Sequence, residues 1–163
     1  MKNLGNLTDN EIYKLWLSSV KDRRYLRRKR WDELKKAILA NKVKTVIEFG
    51  SGISTILMSN MGLDVLSLET DKRHLLFVKN LCPKATFRPW NNDGSLKPSR
   101  TFDLAFIDGI LPRIPQLEVA KRCSNIIAID DFVGKLQNQC LPLLDGYKKI
   151  NPDGTMLAIF KTI

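Results

Sequence analysis

Apolar positions along this chain follow two rhythms, and the change comes near residue 43. Before it, Thr8-Asp9-Asn10-Glu11 has the form of a capping box, and Ile12, Leu15, Trp16 and Val20 follow at helical spacing. A second helix is expected over about Asp22–Ala40, with Tyr25, Trp31, Leu34, Ala37 and Ile38 as its apolar positions. Arg23, Arg24, Arg27, Arg28, Lys29 and Arg30 wrap round its first half, so that half is not expected to be deeply buried. From Val43 onward, apolar β-type runs alternate with short helical ones. Strands are expected over Lys44–Phe49, Asp64–Glu69, Ala85–Trp90, Phe102–Ile107 and Asn125–Ile129, and helices over Ile53–Met61, Lys72–Leu81 and Gln116–Cys123. Such alternation predicts a parallel sheet covered on both faces. The end breaks the pattern: Gly146–Ile150 and Met156–Lys161 are β-like runs joined by Asn151-Pro152-Asp153-Gly154-Thr155, whose turn dipeptides predict a hairpin. The expected fold is one α/β domain over residues 1–163, a doubly wound, seven-stranded, mostly parallel sheet with a C-terminal antiparallel hairpin. Residues 1–42 form a basic, helical N-terminal extension of the core, 43–163.

Composition narrows the setting. A chain of 163 residues, 44% of them hydrophobic, can bury a core. No run of about 18 apolar residues is present, so no membrane span is expected. The polar start after Met1 does not resemble a secretory signal. Cys82, Cys123 and Cys140 are odd in number and widely spaced, which suggests neither a disulfide framework nor a zinc site. A reduced, cytoplasmic protein is expected. The net charge of +10 is uneven, because residues 1–42 hold 12 Lys/Arg against 5 Asp/Glu. That segment could attract nucleic acid or an anionic surface, although a solvated helix face is the plainer reading.

The stretch V-I-E-F-G-S-G-I-S-T, Val46–Thr55, carries the chemistry. A strand ends in a carboxylate, a glycine turn follows, and Ser54 and Thr55 open a helix. Nineteen residues after Gly50, Glu69 closes the next strand, which is how an α/β sheet holds a nucleoside-bearing cofactor. Gly50 and Gly52 permit close approach of a ligand to the backbone. Glu48 would repel a pyrophosphate, and Thr55 stands where a dinucleotide fingerprint has its third glycine. Both features favour a ligand with an ammonium group. Glu69 can accept bonds from ribose hydroxyls. Asp93, in N-N-D-G, is either an adenine contact or a plain turn residue. Trp90 is expected to pack in the core, and His74 to lie on the surface. No Ser/His/Asp set or G-x-S-x-G motif is present.

Together, E-F-G-S-G-I-S-T, L-S-L-E-T-D, F-D-L-A-F-I-D-G and I-I-A-I-D-D-F, in that order and with the terminal hairpin, resemble class I S-adenosylmethionine-dependent methyltransferases over about residues 43–163. The resemblance implies that Glu48, Gly50, Ser51 and Gly52, with Ser54 and Thr55 beside them, hold the methionine end of S-adenosylmethionine. It further implies that Glu69 binds the ribose, that Asp93 lies near the adenine, and that Asp108 is close to the methyl group. Asp108, Asp130 and Asp131 end adjacent strands and make a hard-oxygen cluster suited to Mg²⁺. That arrangement is similar to cation-dependent, catechol-type O-methyltransferases. Two departures are visible: Asp131 replaces an Asn, and Leu111 stands where that group has a basic Lys. No Asn-Pro-Pro-aromatic run follows the fourth strand, as it does in common amino-methylating nucleic-acid enzymes. The expectation is a methyltransferase acting on an oxygen of a small molecule, with Asp108 as its catalytic residue. A nucleic-acid-directed enzyme using the Arg-rich helix, or a non-catalytic binding module of the same fold, are the alternatives.

Overall fold

The computed structural model describes residues 7–19, 26–109, 112–151 and 155–163. Expectations resting on Val20, Asp22, Arg23, Arg24, Tyr25, Leu111, Pro152, Asp153 and Gly154 lie outside the described residues.

The first helix, α1 (Asp9–Ser19), starts at its capping box. The Thr8 N–H donates to Glu11 Oε2 at 2.8 Å, and the Glu11 N–H donates back to Thr8 Oγ1 at 3.4 Å. The second, α2 (Arg28–Ala40), begins later than periodicity suggests. Arg27 is extended, and the buried Leu26 is pinned outside the helix, its carbonyl accepting a 2.9 Å bond from Tyr13 Oη.

Seven strands follow: β1 (Thr45–Phe49), β2 (Asp64–Glu69), β3 (Thr86–Pro89), β4 (Phe102–Ile107), β5 (Ser124–Ile129), β6 (Tyr147–Lys149) and β7 (Ala158–Thr162). Their order in the sheet is β3-β2-β1-β4-β5-β7-β6. The pairs among β1–β5 are parallel, and β7 runs antiparallel between β5 and β6. The terminal hairpin therefore forms, displaced by one or two residues from the expected spans. Between its strands, Asn151 accepts from the Ile159 N–H at 2.8 Å and donates to the Leu157 carbonyl at 2.7 Å.

Side-chain alternation sorts the two faces. Val46, Leu104, Phe106, Ile126 and Ala128 face α1, α2, α3 (Ile53–Asn60) and α4 (Lys72–Leu81). Ile47, Phe49, Ala105, Ile107, Ile127 and Ile129 face α5 (Ile114–Cys123) and a segment the sequence did not announce. That segment is α6 (Gly134–Cys140), followed by a 3-10 turn at Leu141–Leu144. Crossovers lead from β1 toward β3 on one side and from β4 toward β5 on the other. The carboxyl ends of β1 and β4 therefore flank the crevice where an open α/β sheet binds ligands.

Candidate active site

Two glycines set the floor of this crevice. Gly50 has φ +103°, and a Cβ there would fall 2.7 Å from Gly109 Cα. At Gly109 a Cβ would meet the Phe49 carbonyl at 3.0 Å and Gln116 Nε2 at 2.9 Å. The turns after β1 and β4 thus touch backbone to backbone. The crevice above them is bounded by Gly50, Glu69, Thr70, Trp90, Gly109 and Gln116.

Glu48 does not line this space. It shares the parity of Val46, so it points under α3 and is fully buried. There it accepts hydrogen bonds from Ser54 Oγ and Thr55 Oγ1 at 2.5 Å each and from Ser67 Oγ at 2.8 Å, Ser67 being its register partner on β2. Burial pushes the Glu48 pKa up to about 7, against the pull of the three hydroxyls. Glu48, Ser54 and Thr55 therefore form a network beneath the glycine turn. Thr55 also accepts from the Gly52 N–H at 2.9 Å, which closes the start of α3.

Glu69 holds the turn from the other side. Its Oε2 accepts from the Ser51 N–H at 3.0 Å, and its Oε1 accepts from the N–H groups of Thr70 and Asp71 at 2.7 and 2.9 Å. The Ser51 carbonyl is met by His74 Nε2 at 2.8 Å, so that ring nitrogen carries the proton. His74 is half-buried against Trp16 and Phe77 rather than on the open surface. The available signal was its place in the first turn of α4, directly after the strand-ending acid. Trp90 is buried edge-on to Phe49, with ring centres 5.2 Å apart. Its indole N–H borders the crevice and finds no partner among the described residues. Asp93 is exposed and accepts from the N–H and hydroxyl of Ser95 at 3.0 and 2.7 Å, a turn-forming arrangement.

The acids at the ends of β4 and β5 are met by arginines. Arg30, from α2, places Nη1 2.8 Å from Asp130 Oδ2 and 2.7 Å from Asp131 Oδ1. Arg113 is buried; its Nη1 donates to the Asp130 carbonyl, its Nε to the Gly109 carbonyl at 3.2 Å, and its Nη2 lies 3.8 Å from Asp108 Oδ1. Asp108 keeps 23% of its side-chain surface exposed. Burial, then the charge of Asp130, holds its pKa well above the ordinary carboxylate value, opposed by Arg113. Sequence reasoning missed this structural task of Arg113. Arg30 gave no signal at all, lying in a run of similar charges.

No protein-family model matches the sequence, and no curated protein is similar to it. Solved structures do resemble it. A Staphylococcus aureus protein assigned as a caffeoyl-CoA O-methyltransferase superposes with a TM-score of 0.76 at 16% identity, covering 97% of this chain and 93% of that one. An O-methyltransferase from Bacillus cereus, solved with SAH, gives 0.72 at 15% identity over 95% and 90%. A TehB-like SAM-dependent methyltransferase from Corynebacterium glutamicum gives 0.62 at 19% over 95% and 98%. The fold is that of the class I methyltransferases.

This fold implies S-adenosylmethionine, and the residues fit it. The close Gly50–Gly109 backbone contact keeps side chains out of the floor, the Glu69 carboxylate closes a strand end beside it, and Trp90, whose indole N–H has no partner among the described residues, lines the crevice. Mg²⁺ does not fit in the same way. Among the described residues, no three carboxylates, imidazoles or thiolates converge closely enough to hold a metal ion. Asp108, Asp130 and Asp131 occupy neighbouring strand ends, but one oxygen of each faces a guanidinium group.

Proposed function

We propose that this chain transfers the methyl group of S-adenosylmethionine to an oxygen of a small molecule. The observation that carries the reading is the contact between the two turns: a Cβ on Gly50 would lie within 3.1 Å of the Asp108 carbonyl carbon. A cofactor cradle and a partly exposed carboxyl are thereby side by side.

The cofactor, when bound, supplies an electrophilic methyl group on a sulfonium. Gly50, Ser51 and Gly52 would receive its amino-acid end, Glu69 its ribose, and the region of Trp90 and Asp93 its base. Glu48, Ser54 and Thr55 act through the turn, fixing its backbone from below. Because methyl transfer is a direct displacement, the main task of the protein is orientation. An acceptor hydroxyl must also lose its proton. Asp108 would take it, and a carboxylate lifted above its ordinary pKa is the stronger base. Against a nucleic-acid acceptor, Arg28 is paired with Asp32 and Asn10, and Arg30 with Asp130 and Asp131, so both basic groups are engaged within the chain.

Calorimetric titration with S-adenosylhomocysteine tests the cofactor half of the reading. Binding is expected, and no heat up to about millimolar ligand would remove it. Asp108→Asn tests the other half. It should keep S-adenosylhomocysteine binding while slowing methyl transfer to hydroxyl acceptors by about 10²- to 10⁴-fold.

A further inference from the structure

We infer that Arg30 occupies the place of a divalent cation at the β4–β5 edge, so that the acidic site is closed by a fixed guanidinium and binds no metal ion while Arg30 is present. The inference concerns the carboxylates alone and stands apart from the methyl-transfer reading.

One nitrogen, Arg30 Nη1, bridges two carboxylates, at 2.8 Å from Asp130 and 2.7 Å from Asp131. Bridging adjacent strand-end acids is what a hard cation would do there, at oxygen distances of roughly 2.0–2.6 Å. A divalent ion and a guanidinium nitrogen cannot share that point. The arrangement is built in rather than a chance surface contact. The side chain of Arg30 is only 12% exposed and that of Asp130 only 3%. The Phe132 N–H bonds the Met156 carbonyl at 2.7 Å, which brings Met156 Sδ to 2.9 Å from Arg30 Nη2. Arg30 therefore has a seat made by α2, the β5 turn and the approach to β7. Arg113 supplies the second charge beside Asp108. The cost of deleting one partner is an uncompensated buried charge. Asp130 Oδ1 is already buried without a partner among the described residues, so Asp130 and Asp131 would then have a free oxygen and lose the guanidinium that bridges them. Removing Arg30 should convert a closed pair into a cation site.

The test is Mn²⁺ binding, read from loss of the free-ion paramagnetic resonance signal, on the full chain. Wild type should leave the signal unchanged at about millimolar Mn²⁺, and Arg30→Ala should bind about one ion with a Kd on the order of 1 mM or tighter. Adding Asp130→Asn to Arg30→Ala should abolish the gained site. Circular dichroism checks folding. If Arg30→Ala is unfolded, Arg30→Met, which keeps the apolar stem, takes its place. A folded Arg30 variant that binds no Mn²⁺ overturns the inference. So does a stoichiometric ion on wild type that Asp130→Asn removes, a result that needs no Arg30 variant to fold.

Discussion

Glu48 shows how one residue can be correctly noticed and wrongly aimed. Its position after an apolar strand and before a glycine turn marks it in the sequence, and a charge there suggests a ligand contact. The period-two alternation with Val46 instead turns it under α3, where Ser54, Thr55 and Ser67 take its lone pairs. Its pKa consequence has an unusual sign. A carboxyl raised from 4.5 to about 7 binds its proton more tightly in the folded state than in the unfolded one. The contribution of Glu48 to stability is then greatest below pH 4.5 and declines as pH rises through 7, opposite to a salt-bridged acid. At 1.36 kcal/mol per unit, the decline amounts to about 3 kcal/mol. Urea unfolding of wild type and Glu48→Gln across this range measures it. The difference between the two should change with pH by that amount, and parallel curves would refute the assignment. Gly50, Glu69 and Asp108 were legible because glycine turns and strand-ending acids are local signals. The roles of Arg30 and His74 were not, since each depends on a partner far away in sequence, and that of Arg113 depends on the turn between β4 and α5 bringing it back onto the strand ends.

At the scale of elements, alternation of apolar runs gave β1–β5 and α3–α5 within a residue or two, because β1, β4 and β5 are buried on both faces and α4 and α5 bury apolar residues at helical spacing. It missed α6 and the 3-10 turn, where only Cys140 and Leu144 are buried and too little of the pattern is apolar to read. It overextended α2, since nothing local shows that Leu26 is held elsewhere by Tyr13. The pairing of α1 with α2 also depends on a contact between elements. Asp9 Oδ2, in the first turn of α1, accepts from Trp31 Nε1 at 2.9 Å and from Lys35 Nζ at 2.8 Å. Trp31 is completely buried, so Asp9→Ala would leave its indole N–H without an acceptor. The expected loss is about 1–3 kcal/mol, the desolvation penalty of one unpaired donor. Asp9→Asn keeps an acceptor oxygen and should lose less. Thermal unfolding of the two variants decides; equal losses would mean that charge, not the Trp31 bond, makes the latch.

For the whole molecule, the largest revision concerns residues 1–42. Their charge made them look like an appendage to the core. In the structure Ile12, Trp16, Trp31, Leu34 and Ile38 lie in the same buried cluster as Val46, Leu104, Phe106 and Ile126. Helical periodicity reveals that a helix has an apolar face, but not which surface that face will cover. Here it covers the sheet, and the two helices form one wall of the core. The magnitudes make this consequential. Burying those five side chains contributes on the order of 10 kcal/mol at roughly 1.5–3 kcal/mol each. That rivals the whole net stability of a typical domain, about 5–15 kcal/mol. We therefore expect a fragment of residues 43–163 to lose cooperative folding rather than merely to lose charge. It should bind a hydrophobic dye and show no sigmoidal urea transition, while the full chain unfolds in one step. A fragment that unfolds with the midpoint and steepness of the full chain would show instead that the sheet is stable without that wall, and that α1 and α2 rest on it only lightly.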